Sequence, residues 1–265
     1  MSSSPYTTIE VSVQDHIAIL CLNRPEVSNA FSYETYLEVR DAVERLGADE
    51  AVRVIILTGK GKNFSAGGDI QRFRRLIDEK VYIQDQGVTA TGKMSIAVRR
   101  CPKPVVAMVN GAAAGAGCGL ALACDFRIMT EKSRLIMAFS NMALPPDTGG
   151  RYYLERLVGT GRTIQMMMLG EPLGGKEAHA LGVASVLAAP ETLEEETRAF
   201  AARLAARPPR ALAMQKAAIN EFFYPEIDKF IVRESEYMQA CSRTSDFEEA
   251  VTAFLEKRSP VFQGK

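Results

Sequence analysis

Residues 104–119 read PVVAMVNGAAAGAGCG. Pro104 to Val109 is an apolar run of the length and composition of one buried strand. From Gly111 to Gly119 almost every residue is glycine or alanine, and an apolar helix then runs to about Cys124. A strand therefore enters a helix N-terminus built from residues with almost no side chain. Such a terminus presents unpaired N–H donors and the positive end of the helix dipole. That arrangement suits an oxyanion developing in a transition state. Small residues equally permit close helix packing, and the segment by itself supports both readings. No Gly-Lys-Ser/Thr follows it, and Gly115-Ala116-Gly117-Cys118-Gly119 lacks the G-x-G-x-x-G spacing, so neither a phosphate-cradling P-loop nor a dinucleotide fingerprint is present.

Upstream, Ile9 to Val13 and Ile17 to Leu22 alternate or run apolar around Gln14-Asp15-His16, which reads as a hairpin. Pro25 ends the second strand because it lacks the donor that a ladder needs. Tyr36, Leu37, Val39, Val43 and Leu46 recur at helical spacing over 33–46, with Ser32 as N-cap. Val52 to Thr58 (VRVIILT) reads as a buried strand and Gly59 to Lys62 as a turn. Phe64 to Asp69 is a glycine-bearing loop before a helix that starts at Ile70, and Phe126 to Met129 is a further short strand. Strand, turn and helix recur without an exact repeat, which predicts an α/β fold of stacked turns over residues 1–192. Residues 193–265 change character. Leu193 to Arg207, Ala211 to Phe222, Ile227 to Ala240 and Asp246 to Lys257 all read as helices, punctuated by Pro208-Pro209 and Pro225.

The charge is balanced, with 32 Lys+Arg against 32 Asp+Glu, so nothing global steers the chain toward nucleic acid or an anionic membrane. Five cysteines, odd in number and scattered, form no disulfide framework or zinc spacing and fit a reducing compartment. The start, MSSSPYTTIE, has no apolar signal core, and no stretch approaches the roughly 20 apolar residues of a membrane span. A cytoplasmic protein is expected. The only histidines, His16 and His179, fall in a hairpin and a helix, which disfavours a Ser-His-Asp hydrolase. No clustered ligand set implies a metal.

Two more segments stand out. Asn63-Phe64-Ser65-Ala66-Gly67-Gly68-Asp69 lets backbone approach a ligand closely ahead of a helix start, although an ordinary tight turn has the same composition. Residues 138–150, AFSNMALPPDTGG, place Asp147 after two prolines and before a Gly pair and a helix. A carboxylate there is most often a cap. In an apolar pocket it is instead a general base tuned by burial. Arg151, Tyr152 and Tyr153 either shape an adjoining pocket or belong to a packed helix. Residues 72–99, with Gly87 and Gly92 in a helical pattern, are expected to drape over the site as a mobile segment.

These three segments, in this order and spacing, resemble the crotonase (enoyl-CoA hydratase/isomerase) superfamily. The resemblance starts at Leu22-Asn23-Arg24-Pro25 with Asn29-Ala30. It continues through 64–69 and 104–125 and finishes at 254–260. It implies a crotonase-like spiral of ββα turns with a C-terminal helical region that builds homotrimers, often paired into hexamers. It also implies that the Gly68 and Ala116 N–H groups polarise the carbonyl of an acyl-CoA thioester. The segment with Val27, Ser28 and Ala30, together with Ala66, Asp69 and Ile70, would line the CoA path. Lys257 would meet CoA phosphates, those of a neighbouring subunit included. CoA is then part of the substrate, and no separate cofactor is implied.

The sequence departs from the hydratases of that superfamily where they carry two glutamates, since those positions are Gly119 and Phe139 here. Neither can move a proton or hold water through its side chain, so two-glutamate hydration is not expected. Asp147 remains. Its surroundings, with 242–246 and 254–262, look like the phenylacetate-degradation type of isomerase; dienoyl-CoA isomerases and 4-chlorobenzoyl-CoA dehalogenases also place an aspartate near this point. The reading that results is an enoyl-CoA isomerase in which Asp147 takes a γ-proton and returns it at the α-carbon. Hydration, hydrolysis or dehalogenation of a CoA thioester is the alternative on the same scaffold, and a catalytically silent CoA-binding subunit is the alternative of another class.

Overall fold

The computed structural model describes residues 6–81, 83 and 85–265, with 85–89 described by backbone alone. Residues 1–5 of the N-terminal segment, and residues 82 and 84 within the 72–99 stretch, lie outside the described residues. The hairpin expected at the start is β1 (Ile9–Gln14) paired antiparallel with β2 (Ile17–Leu22). Asp15 and His16 both take positive φ, 50° and 66°, the turn hand that matches strand twist in a two-residue hairpin. Helix α1 (Tyr33–Ala48) follows, capped reciprocally by Ser32 and Thr35. Its buried stripe is Tyr36, Val39, Val43 and Leu46, whereas Leu37, one residue further round the helix, is exposed.

The chain continues through β3 (Val54–Gly59), α2 (Ile70–Asp78), α3 (Asp85–Arg100), β4 (Val105–Val109), β5 (Ala112–Ala114), α4 (Ala116–Ala123), β6 (Phe126–Thr130) and β7 (Arg134–Ile136). Then come α5 (Gly150–Leu169), β8 (Leu173–Gly174), α6 (Gly175–Ala180), β9 (Val186–Ala188), α7 (Leu193–Ala205), α8 (Pro209–Phe223), α9 (Ile227–Cys241) and α10 (Ser245–Glu256). Strand β3 begins two residues later than its apolar run because Val52 and Arg53 are still leaving a turn, with the Val52 and Arg53 amides bonded to the Asp49 and His16 carbonyls. The small-residue run is not one unit either: Ala112–Ala114 form a strand before the helix starts at Ala116.

Two sheets organise the stacked turns. The larger runs β1-β2-β3-β4-β6-β9 and is parallel from β2 onward. The smaller runs β5-β7-β8, and single bridges extend its line from Ala113 to Ser65 and from Gly68 to Phe31. Each turn of chain thus gives one strand to the large sheet and one extended segment to the small one before a helix. This is the spiral of ββα turns. A parallel sheet is stable when both faces are covered, and β3 is buried along its whole length. One face packs on α7 through Val54, Ile56, Val106, Ile128, Leu193 and Ala201. The other faces the main core with Leu20, Ile55, Leu57, Met94 and Leu120. Among the described residues no helix is long and apolar enough to cross a membrane.

The C-terminal helices pack back onto the spiral. At the junction of α8 and α3, Asp125 accepts from Lys216 Nζ at 2.7 Å and from the Val105 amide at 2.8 Å, and it pairs with Arg99. Lys216 also donates to the Lys103 carbonyl at 3.1 Å. All three charged side chains are nearly out of water. Removing one partner of such a group leaves uncompensated buried charge, which costs about 3–5 kcal/mol. Asp125→Ala is therefore expected to lower thermal stability by about 10 °C, read by circular dichroism, whereas Arg100→Ala, which breaks an exposed pair with Asp228, is expected to move it by about 2 °C or less.

Candidate active site

Backbone, more than side chains, builds the floor of the site. Asn29, in left-handed conformation, donates from Nδ2 to the Lys60 and Asn63 carbonyls. Ser65 Oγ donates to the Asn29 carbonyl at 2.7 Å, and the Ser65 amide donates to the Ala112 carbonyl at 3.1 Å. The Phe31 amide donates to Gly67 O at 2.7 Å and the Asp69 amide to Phe31 O at 3.3 Å. This pattern engages the Gly67 carbonyl and the Asp69 amide on either side of Gly68 and passes over the Gly68 amide itself. Gly67 has φ of 87°, and a Cβ on it would fall 2.6 Å from the Ala114 carbonyl oxygen and 3.3 Å from the Ala116 nitrogen. Only glycine allows the two segments to touch there. Ala116 is the first residue of α4, so its amide has no acceptor inside the helix. Among the described residues neither the Gly68 nor the Ala116 N–H donates to a protein acceptor.

Both amides line one cavity that encloses about 610 Å³ of empty space, its mouth included. Its walls are mostly apolar, with Ile70, Phe73, Ile83, Phe139, Met142, Leu144 and Met238. Tyr36, Arg72, Thr91 and Asp147 are the polar side chains among the described lining residues. Asp147 does not cap a helix: the N-cap of α5 is Gly149, with no side-chain bond. Its Oδ1 is buried without a hydrogen-bond partner. Burial pushes the carboxyl up to about 7 against the pull of the Arg72 guanidinium and of its own backbone amide. A carboxyl so placed exchanges a proton near neutral pH.

The other residues singled out in the sequence are divided. Ala66 and Ile70 line the cavity. Val27, Ser28 and Ala30 do not, but Ser28 O accepts from the Ala66 amide at 2.9 Å, which sets this strip beside the cavity wall. Asp69 is committed to the fold: it caps α2 through the Gln71 amide and pairs with Arg24 at 3.2 Å. Lys257 ends α10 in left-handed conformation, exposed and outside the cavity. Arg151, Tyr152 and Tyr153 shape no part of it, because α5 turns them toward α3 and α9. Tyr153 accepts from Ser95 Oγ, Tyr152 packs on Phe230 and Arg151 stacks over the same ring. His16 and His179 each bond a backbone carbonyl through Nδ1.

Residues 12–265 match the family described as enoyl-CoA hydratase/isomerase. The chain belongs to that family. It is 36% identical over 256 residues to the 1,2-epoxyphenylacetyl-CoA isomerase of Escherichia coli, covering 96% of this chain and 97% of that one. It is 34% identical over 261 residues to the crotonyl-CoA hydratase of Syntrophomonas wolfei, covering 98% and 99%. The fold matches an enoyl-CoA hydratase structure from Mycobacterium avium subsp. paratuberculosis with a TM-score of 0.89 at 31% identity, covering 98% of this chain and 100% of that one.

Family relatives thus carry both isomerase and hydratase names; Gly119 and Phe139, which the resemblance sets at the two hydratase glutamate positions, carry no carboxylate in this enoyl-CoA hydratase/isomerase chain. A Cβ on Gly119 would lie 1.8 Å from Thr148 Oγ1 and 2.6 Å from Thr148 Cβ, so Thr148 already occupies that space. Phe139 gives the cavity an aromatic wall. Sequence reading missed Tyr36, Arg72, Thr91 and Met238, which belong to α1, α2, α3 and α9 and converge only in the fold. Nothing local marks them.

The buried carboxyl has a measurable signature in stability. Asp147 binds its proton more tightly folded than unfolded, so the wild type loses stability as pH rises from about 4 through about 7. Asparagine carries no such penalty. Asp147→Asn should match wild type near pH 4 and exceed it by up to about 4 kcal/mol above pH 8 in urea unfolding.

Proposed function

We propose that the protein is an enoyl-CoA isomerase that moves a carbon–carbon double bond by a proton shuttle through Asp147. The Gly68 and Ala116 N–H groups would receive the thioester oxygen. A proton leaves the α- or γ-carbon for the Asp147 carboxylate, and the C–H electron pair spreads over a dienolate onto that oxygen. The same proton returns at the other carbon, the dienolate collapses, and the double bond has moved with no net gain or loss of atoms. The observation that carries this reading is a single carboxyl among the described lining residues, with one buried oxygen unpartnered, in the same apolar cavity as two unpartnered amides. One carboxylate suffices for a shuttle, whereas addition of water needs a second positioned group. Donors aimed at the developing oxyanion contribute the larger electrostatic effect.

CoA would enter past the Val27–Ala30 strip and Ala66. Lys257, which does not line the cavity, would act on CoA phosphates of a neighbouring subunit. Assembly as a homotrimer or a dimer of trimers is supported by exposed apolar side chains on the C-terminal helices, Phe222, Phe223, Val232 and Phe254 among them. Light scattering should return three or six copies per particle; a monomer would refute this part.

Incubation with a 3-enoyl-CoA should raise the absorbance of the conjugated 2-enoyl thioester, with little 3-hydroxyacyl-CoA formed from a 2-enoyl-CoA. Asp147→Asn should cut turnover by about 10²-fold or more while leaving CoA binding intact. Hydration as the dominant reaction, or unchanged turnover in the variant, would overturn the proposal.

A further inference from the structure

Helix α9 touches the site at two points one helical turn apart. Met238 lines the cavity, and Glu234, four residues earlier, reaches the turn that carries Asp147. Glu234 Oε2 accepts the Gly149 amide at 2.7 Å. Gly149 is left-handed, with φ of 70°, and is the N-cap of α5, so its geometry decides where the chain two residues earlier points. Ile227 and Ile231, on the same helix, close over it: a Cβ on Gly149 would lie 3.0 and 3.4 Å from their Cδ1 atoms. Thus α9 grips this turn by packing and by one hydrogen bond that a charged residue type accepts.

An amide or hydroxyl side chain would satisfy the Gly149 N–H as well. A carboxyl is a costly choice in a buried place, the more so beside a second one. Three buried polar atoms of this turn and its clasp lack partners: Asp147 Oδ1, Thr148 Oγ1 and Glu234 Oε1. Buried carboxyl oxygens without a partner call for a held proton or a bridging water.

We propose that Glu234 is a positioning residue for Asp147, acting through the Gly149 amide to hold the turn that aims the Asp147 carboxyl into the cavity. This rests on the reading of Asp147 as the proton shuttle. Burial pushes Glu234 up to about 8, with the Gly149 amide opposing, the Asp147 charge adding and Arg151 opposing. Arg72 from α2 and Tyr36 from α1 face Asp147, while Tyr153 and Arg151 from α5 face Glu234. The two carboxyls therefore release protons in two linked steps. At neutral pH Glu234 keeps its proton, and a neutral clasp leaves Asp147 able to ionise. Above about pH 8 a second negative charge enters the turn and opposes formation of the dienolate.

Glu234→Gln keeps the acceptor and the shape but never ionises, whereas Glu234→Ala removes the acceptor. With a 3-enoyl-CoA, Glu234→Gln should keep kcat within about threefold of wild type at pH 7 and lose the alkaline fall in kcat. Glu234→Ala should lose about tenfold or more in kcat with little change in KM. A substrate-free readout uses carboxyl-¹³C aspartate labelling, with the Asp147 signal assigned by its loss in Asp147→Asn. That signal should titrate in two steps in wild type and in one step in Glu234→Gln. Wild-type kcat in Glu234→Ala, an alkaline limb retained in Glu234→Gln, or an unchanged Asp147 titration in Glu234→Gln would overturn the proposal. If Asp147→Asn leaves turnover unchanged, the shuttle reading falls, and the titration still decides the link between the two carboxyls.

Discussion

The close approach of residues 65–68 to residues 112–116 is the constraint on which the rest of the site depends. Two backbone bonds between Ser65 and the Ala112–Ala114 strand, and a Gly67 with no space for a Cβ, press the segments together. Two amides from different turns of the spiral therefore line one cavity with nothing among the described residues to satisfy them. Unpaired donors cost free energy when buried. The cost is tolerable here because the surrounding sheet bridges and the start of α4 determine both positions independently. Preorganised donors of this kind need no rearrangement when charge develops on a ligand oxygen.

The second constraint is the burial of two carboxyls around the start of α5. Asp147 and Glu234 both gain protons relative to water, and each keeps an oxygen without a partner. Such groups destabilise the fold at neutral pH and above. The interior elsewhere contains the opposite arrangement, since Asp125 is matched by Lys216, Arg99 and a backbone amide. One carboxylate is satisfied and structural; the other two are only partly satisfied and sit at the cavity or behind it. That contrast separates a residue holding the fold together from residues that the fold holds in a high-energy state.

The family relationship defines the scaffold and the thioester chemistry without choosing the reaction, because relatives of similar identity carry isomerase and hydratase names. On a shared backbone the choice falls to a few side chains. Thr148 fills the space beside Gly119, and Phe139 closes the other wall. These packing facts concern this chain's own site, whereas overall similarity defines the scaffold alone.

The amino-acid sequence alone determined five strands of the larger sheet (β1, β2, β3, β4 and β6), the glycine-rich segments and the helical C-terminal region, because alternation, helical spacing and the absence of side chains are local properties. It also singled out Asp147, whose setting between two prolines and a Gly pair is unusual by itself. Boundaries were less legible: Ala112–Ala114 became a strand only because Ser65 and β7 lie beside it. Only the tertiary structure decided that Asp147 is uncapped and buried, that Asp69 belongs to α2 and Arg24, and that Tyr152 and Tyr153 pack away from the cavity. It alone brought Arg72, Met238 and Glu234 to Asp147 from helices distant in the chain. A charged residue on an amphipathic helix looks the same in sequence whether it meets water or a buried partner, and the packing of that helix makes the difference.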